Sequence, residues 1–308
     1  MKALKELEKD FRHMNSLLIE EYEQAVKEFK KEEKEKGPMK EQHDIAKKKM
    51  LTDAGFDIKK IEREEEKETI AFQKRLAIKR KELINRKPNL FIKSQEKSLY
   101  SQILKGDRYS VLTPFGACLM APDTKLVESV EGERGNPWVF PYDPSQIKIM
   151  ASGHIGGWTC WQAYGSAPPP TANIWFNFVP DRTGKWDFSA IVAFDGFYVL
   201  RSDDSWYNCR NAWVKLKATA RVHQYSWQGK KNYTLLSEEE SNADYTRLFN
   251  STEWMDTSGV LQAGDITWIL VTITLEAMSS GSGTYAELNF QSGTANHILP
   301  VLVLANLA

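Results

Sequence analysis

The stretch NAWVKLKATARVHQYSW, residues 211–227, decides how this chain folds. Taken at every second residue it gives Ala212, Val214, Leu216, Ala218, Ala220 and Val222 on one side. The other side holds Trp213, Lys215, Lys217, Thr219, Arg221, His223, Tyr225 and Trp227. A β-strand sends successive side chains to opposite faces, so the methyl-rich set suits a core. The second set mixes cations with three large rings, a composition suited to a contact surface rather than to plain solvent.

The sequence around this strand is of the same kind. From residue 101 onward short apolar runs alternate with Gly, Pro, Asn and Asp, the texture of an all-β domain. SAIVAFDGFYVLRS, residues 189–202, places Asp195-Gly196 between two β-rich runs and predicts a tight hairpin joining 186–194 to 197–201. The 211–227 strand is expected to turn at QGKKN, residues 228–232, into YTLL. Further strands are expected at 147–152, 157–164, 173–179, 265–277, 284–291 and 298–304. In DITWILVTITLEA, Ile269, Val271, Ile273 and Leu275 should face inward, with Trp268, Thr272 and Thr274 outward. Strands of this number with no long helix between them predict an antiparallel two-sheet sandwich of jelly-roll type over 147–308.

The first hundred residues differ physically. They hold 26 Lys or Arg and 21 Asp or Glu, against 15 and 20 in the remainder, and none of the ten Trp. Leu4, Leu7, Phe11, Met14, Leu18, Tyr22, Ala25 and Phe29 recur at helical steps and draw a narrow apolar stripe. Such a stripe amid dense charge predicts a coiled coil or helical hairpin over 1–100. Gly37-Pro38 should interrupt the helix, with a second piece over 40–53 and a third over 57–86 capped by Asp57. Between the two segments, residues 101–146 carry Pro114, Pro122, Pro137, Pro141 and Pro144 and read as a connector packed on the sandwich. The fold expectation is therefore α+β, a helical N-terminal segment followed by an all-β domain.

Catalytic motifs are absent from the sequence: no G-x-S-x-G, phosphate loop, dinucleotide fingerprint or H-E-x-x-H. Cys118, Cys160 and Cys209 are too scattered for a zinc knuckle or disulfide framework and read as buried thiols, so neither metal nor cofactor is expected. Asp203-Asp204, beside Trp206 and Tyr207, is the one carboxylate pair that suggests a hydrolase. Basic runs at 47–49 and 79–81 are flanked by acids and read as solvated helix faces, not a nucleic-acid surface. No apolar run reaches the roughly 20 residues of a membrane span, and the N-terminus lacks a signal-peptide core. Synthesis in the cytoplasm is expected, followed by incorporation into a virion-like particle or release by lysis.

The layout is similar to that of stalk-and-head attachment proteins, phage fibre and receptor-binding proteins among them, in arrangement only. The expected function is non-enzymatic: helices that oligomerise or anchor the chain, and a sandwich that contacts a glycan or protein. The expected contact residues are Trp213, Lys215, Lys217, Arg221, His223, Tyr225 and Trp227. A competing expectation is that the N-terminal helices, the connector or a second subunit cover this strip. The alternative to a binding module is a toxin whose helices rearrange at a membrane, which the helices' modest apolar content disfavours. A hydrolase using Asp203 or Asp204 is the weaker alternative.

Overall fold

The computed structural model describes residues 2–87, 109–121, 138–139, 147–154, 163–164, 168–202, 211–281 and 283–308. Helix α1 runs Lys2–Asp53 and α2 runs Ile58–Ile84. Asp57 caps α2 as expected, its side chain accepting from the Lys60 N–H at 3.0 Å. The interruption expected at Gly37-Pro38 does not occur, because Pro38 lies inside a continuous α1. Strong helix formers flank it, and two ion pairs, Lys36–Glu32 at 2.8 Å and Lys40–Glu33 at 2.9 Å, bracket the missing hydrogen bond. The helix ends instead at Gly55, whose φ of 87° supplies the left-handed residue that closes a helix.

Thirteen strands follow among the described residues: β1 Ser110–Leu112, β2 Gly116–Met120, β3 Trp138–Val139, β4 Met150–His154, β5 Ala163–Tyr164, β6 Thr171–Phe178 and β7 Gly184–Ser202. The remainder are β8 Asn211–His223, β9 Trp227–Glu240, β10 Ala243–Leu261, β11 Thr267–Ser280, β12 Tyr285–Asn289 and β13 His297–Leu307. They form two antiparallel sheets. One has the order β1-β13-β7-β12-β4, with β10 on the other edge of β7; the second has the order β3-β2-β6-β11-β8-β9, with β5 beside β11. A single apolar core joins them, contributed by Phe188, Val192, Phe194 and Leu288 of the first sheet and Ile174, Phe176, Val214 and Ile273 of the second.

Two features depart from the sequence-based expectation. Residues predicted as connector include β1 and β2, which are integral to the two sheets. Asp195-Gly196 is not a hairpin turn but the middle of the 19-residue β7, which pairs with β10 along its whole length. Packing explains the dipeptide better than turn geometry does. Asp195 is buried and paired with Arg86, while a Cβ at Gly196 would collide with the Phe290 ring and lie 2.6 Å from the Asn289 carbonyl oxygen.

One end of each helix is seated on the sandwich. The stripe Leu7, Phe11, Met14, Leu18 and Tyr22, expected to line a coiled coil or helical hairpin, packs on the outer face of the second sheet against Cys118, Met120, Trp175, Trp268 and Leu270. Phe11 sits among Phe115, Trp268 and Trp175 at ring distances of 5.3, 6.0 and 6.2 Å. The Trp175 indole N–H donates to Asn15 Oδ1 at 2.8 Å, which fixes the height of the helix on the sheet. α2 lies on the outer face of the first sheet, with Phe72, Leu76 and Leu83 against Phe197, Val199 and Tyr285. Arg80 and Arg86 key it there, pairing with the buried Glu287 and Asp195. The two helices grip opposite faces of the sandwich.

Candidate functional site

The opening stretch forms β8 with the alternation expected from its sequence. Ala212, Val214, Leu216, Ala218, Ala220 and Val222 all enter the core. Its other side chains lie on the outer face of the second sheet, the face that α1 partly occupies. The strand stops at His223, however. Gln224, Tyr225 and Ser226 make the turn, and Trp227 opens β9 opposite His223, so the reversal comes before QGKKN. Gln224 holds the turn in place: its amide donates to the Gln262 carbonyl at 2.9 Å and accepts from the Gln262 N–H at 2.8 Å. Gln228 does the same to Val260, accepting its N–H at 2.9 Å. Gly229, at φ 61°, lets β9 bulge where any Cβ would strike the Ser258 carbonyl.

The predicted strip divides into two clusters. Trp213 is buried, 7% exposed, with the Lys215 Nζ 4.6 Å over its ring. Lys217 pairs with Glu276 at 2.6 Å, and Thr219 donates to Asn232 at 3.0 Å. These groups are committed within the protein. The second cluster lies ten residues along the strand from Trp213, roughly 30 Å away at strand rise. There Arg221 stacks on Trp227 at 3.7 Å, His223 meets the same ring edge-on at 5.0 Å, and Trp175 lies 6.1 Å away. Tyr225 is 68% exposed and Trp227 38%, and the Tyr225 hydroxyl donates to Asp265.

Electrostatics at this tip follow from its half-burial. Burial lowers the Arg221 pKa, opposed by Glu21 of α1, which places the helix's charge beside the cluster. Burial and then the neighbouring Arg221 cation lower the His223 pKa, so this imidazole is neutral at pH 7 and offers one donor and one acceptor. The Tyr225 hydroxyl titrates higher than usual, chiefly through its bond to Asp265. The result is an exposed ring, a second ring clamped by a guanidinium, and polar groups of both kinds within one hairpin turn. Such a surface suits stacking on the C–H face of a sugar while flanking groups bond its hydroxyls.

Asp265, Gln224 and Trp175 belong to this cluster and carry no separate signal in the sequence. Asp265 and Trp175 come from other strands or loops, and Gln224 falls where the alternation predicts a continuing strand. Cys118 is buried beneath α1, which pushes its thiol up to about 12. Cys160, Cys209, Asp203, Asp204, Trp158, Trp161 and Trp206 lie outside the described residues. Among the described residues no group of three or more His, Cys, Asp or Glu is placed to hold a metal ion, and no helix is long and apolar enough to cross a membrane. Clefts of about 360 and 340 Å³ flank α2, but they follow from its docking: Arg75 in one pairs with Asp244, and Arg80 in the other with Tyr285 and Glu287.

No protein-family model matches the chain, and no curated protein matches it. Among solved structures, the carbohydrate-binding module TmCBM61 in complex with β-1,4-galactotriose aligns at 6% identity over 60% of this chain and 88% of that one, with a TM-score of 0.19. Eiger TNF from S. frugiperda aligns at 11% identity over 48% and 94%, with a TM-score of 0.15. The CBM22-1-GH10 modules of Clostridium thermocellum xylanase 10B complexed with xylohexaose align at 13% identity over 61% and 30%, with a TM-score of 0.16. At scores this low no ligand or activity is carried over from any of them.

Proposed function

We propose that this chain is a non-enzymatic binding module whose sandwich contacts a glycan through the β8–β9 tip. Tyr225 is the stacking platform, Trp227 the second ring, and Arg221, His223 and Asp265 the hydrogen-bonding groups. One observation carries the reading: of the seven residues in the strip, Tyr225 and Trp227 alone present large exposed rings, and both are held in fixed positions by Asp265 and Arg221. Preorganised rings lose little conformational entropy on binding, which favours a weak but specific site. Each helix is seated on the sandwich by one end, and multivalency would come from assembly of whole units on an oligomer or particle.

Glycan-array binding of the full chain, beside Tyr225→Ala and Trp227→Ala, tests this. Loss of an aromatic stacking partner should weaken binding by about tenfold or more, the equivalent of roughly 1–3 kcal/mol. An unchanged profile in both variants removes the tip as a sugar site. Binding by no glycan, with capture of a protein ligand that Tyr225→Ala abolishes, would transfer the same surface to a protein partner.

A further inference from the structure

Among the described residues β9 ends the second sheet and forms a ladder with β8 alone, and its 14 residues contain no proline. β10 touches it at the Gln228–Tyr233 end, where Thr257 donates to the Gly229 carbonyl and the Tyr233 hydroxyl donates to the Asp256 carbonyl, each at 2.6 Å. An edge of this length offers a row of backbone donors and acceptors to any extended chain, and soluble proteins usually guard such edges with charge or bulges. Here Lys230 and Lys231 stand near one end beside the Gly229 bulge, a second bulge at Leu235 marks the middle, and Glu238, Glu239 and Glu240 stand at the other end. Lysines alone would repel any copy of the strand. Lysines and glutamates at opposite ends repel a parallel copy and attract an antiparallel one.

The register can be worked out from the ladder with β8. Lys231, Tyr233, Leu236 and Glu238 pair with the core-facing Ala220, Ala218, Leu216 and Val214, so they lie on the core side. Asn232, Ser237 and Glu239 pair with Thr219, Lys215 and Trp213 and lie on the outer side; Lys230 falls in the bulge with Gly229, opposite the outward Arg221. A two-fold axis between Thr234 and Leu235 then sets Lys231 opposite Glu238 of the second copy and Lys230 opposite its Glu239. It also sets Asn232 opposite Ser237 and Tyr233 opposite Leu236. Every one of these pairs falls on a single face, and each occurs twice. The Leu235 bulge is what makes the two halves match, because it shifts the alternation by one residue at the axis. Tyr233, Leu235 and Leu236, left half-buried at the rim of the core, would be covered.

We infer that β9 is a homodimer edge at which two copies join antiparallel in this register, continuing the second sheet across a two-fold axis. The interface is isologous, as closed dimers require. It sets the two β8–β9 tips at opposite ends of the joint, roughly 50 Å apart at strand rise. The inference is independent of what the tips bind.

Light scattering after size exclusion, on the full chain and on two charge-reversed variants, tests it. Wild type should be a dimer. K230E/K231E and E238K/E239K should each dissociate at least about tenfold more readily, because reversal turns four attractive pairs into repulsive ones. An equimolar mixture of the two variants should recover the dimer as a heterodimer, which no general loss of fold could produce. A monomeric wild type overturns the inference, and so does a dimer indifferent to both reversals. Should either variant fail to fold, wild type in rising salt decides the matter: dissociation supports the charge-paired edge, and a salt-insensitive dimer contradicts it.

Discussion

Phe11→Ala is the sharpest probe of how the N-terminal helix is used. Phe11 is 1% exposed, and its ring lies within 6.2 Å of the rings of Phe115, Trp175 and Trp268. Removing a fully buried Phe side chain costs about 3–5 kcal/mol when the site cannot collapse. One wall here is a helix able to settle towards the sheet, so about 3 kcal/mol is expected. A second substitution makes the test specific. A Cβ added at Gly116 would lie 2.8 Å from the tip of the Phe11 ring, so Gly116→Ala should cost about 1–2 kcal/mol by overpacking. In the double variant the methyl fills part of the space that the ring vacates. The combined loss should fall short of the sum by about 1 kcal/mol or more. Urea unfolding followed by tryptophan fluorescence reports directly, because Trp175 and Trp268 line the contact. Strict additivity, or a negligible effect of Phe11→Ala, would refute the seating of the α1 stripe on the sheet and return it to a helix partner.

Other consequences can be measured separately. Pro38→Ala should raise far-UV helicity and add up to about 3 kcal/mol to the local stability of α1, the interior penalty of proline; a loss of helicity would contradict a continuous helix. Arg80→Met removes the guanidinium partner of the fully buried Glu287, which keeps the Tyr285 hydroxyl and the Asn289 amide, so a loss of about 2 kcal/mol is expected by denaturation. His297 and His223 have pKa values lowered chiefly by burial. Their neutral forms therefore stabilise the fold above about pH 6.5, and that contribution fades as pH falls through the lower folded values. Denaturation midpoints should drop on acidification, and His297→Gln with His223→Gln should flatten that slope; an unchanged slope would exclude both histidines as its source.

Much of the fold is legible in the sequence where burial is one-sided. β8 and β11 alternate cleanly because one face meets the core and the other meets a helix or polar neighbours, and the inward residues expected of both are the ones that enter it. β10 escapes the same reasoning for a complementary reason. Among the described residues it pairs with β7 alone, with Asp244, Arg247, Asn250, Glu253 and Asp256 spread along it, so no apolar period marks it. β7 misleads because an Asp-Gly pair is a turn signal only when nothing else needs a small residue and a carboxylate. Here Phe290 needs the first and Arg86 the second. The α1 stripe is visible in the sequence, but its partner is not. A narrow apolar seam looks the same whether it faces another helix or a sheet, and the rings that receive it, Trp175 and Trp268, are more than 150 residues away.

The candidate site shows the same division. Period-two reasoning places the rings and cations of β8 on the outer face but cannot rank them. Trp213 and Trp227 are both tryptophans beside a cation, and only tertiary contacts decide which is buried. The turn at Gln224 is hidden from the sequence because it is held by side-chain amide bonds to residue 262, a pairing without any local signature.

Hydroxyl-radical footprinting of the full chain, read residue by residue, bears most directly on the claim that α1 and the sheet consume one part of the aromatic face and leave the tip open. The open rings Tyr225, Trp227 and Trp254 should oxidise readily, while Trp175, Trp268 and Trp213 stay protected until the chain unfolds. Oxidation of Trp175 or Trp268 at the rate of Tyr225, in folded protein, would contradict it.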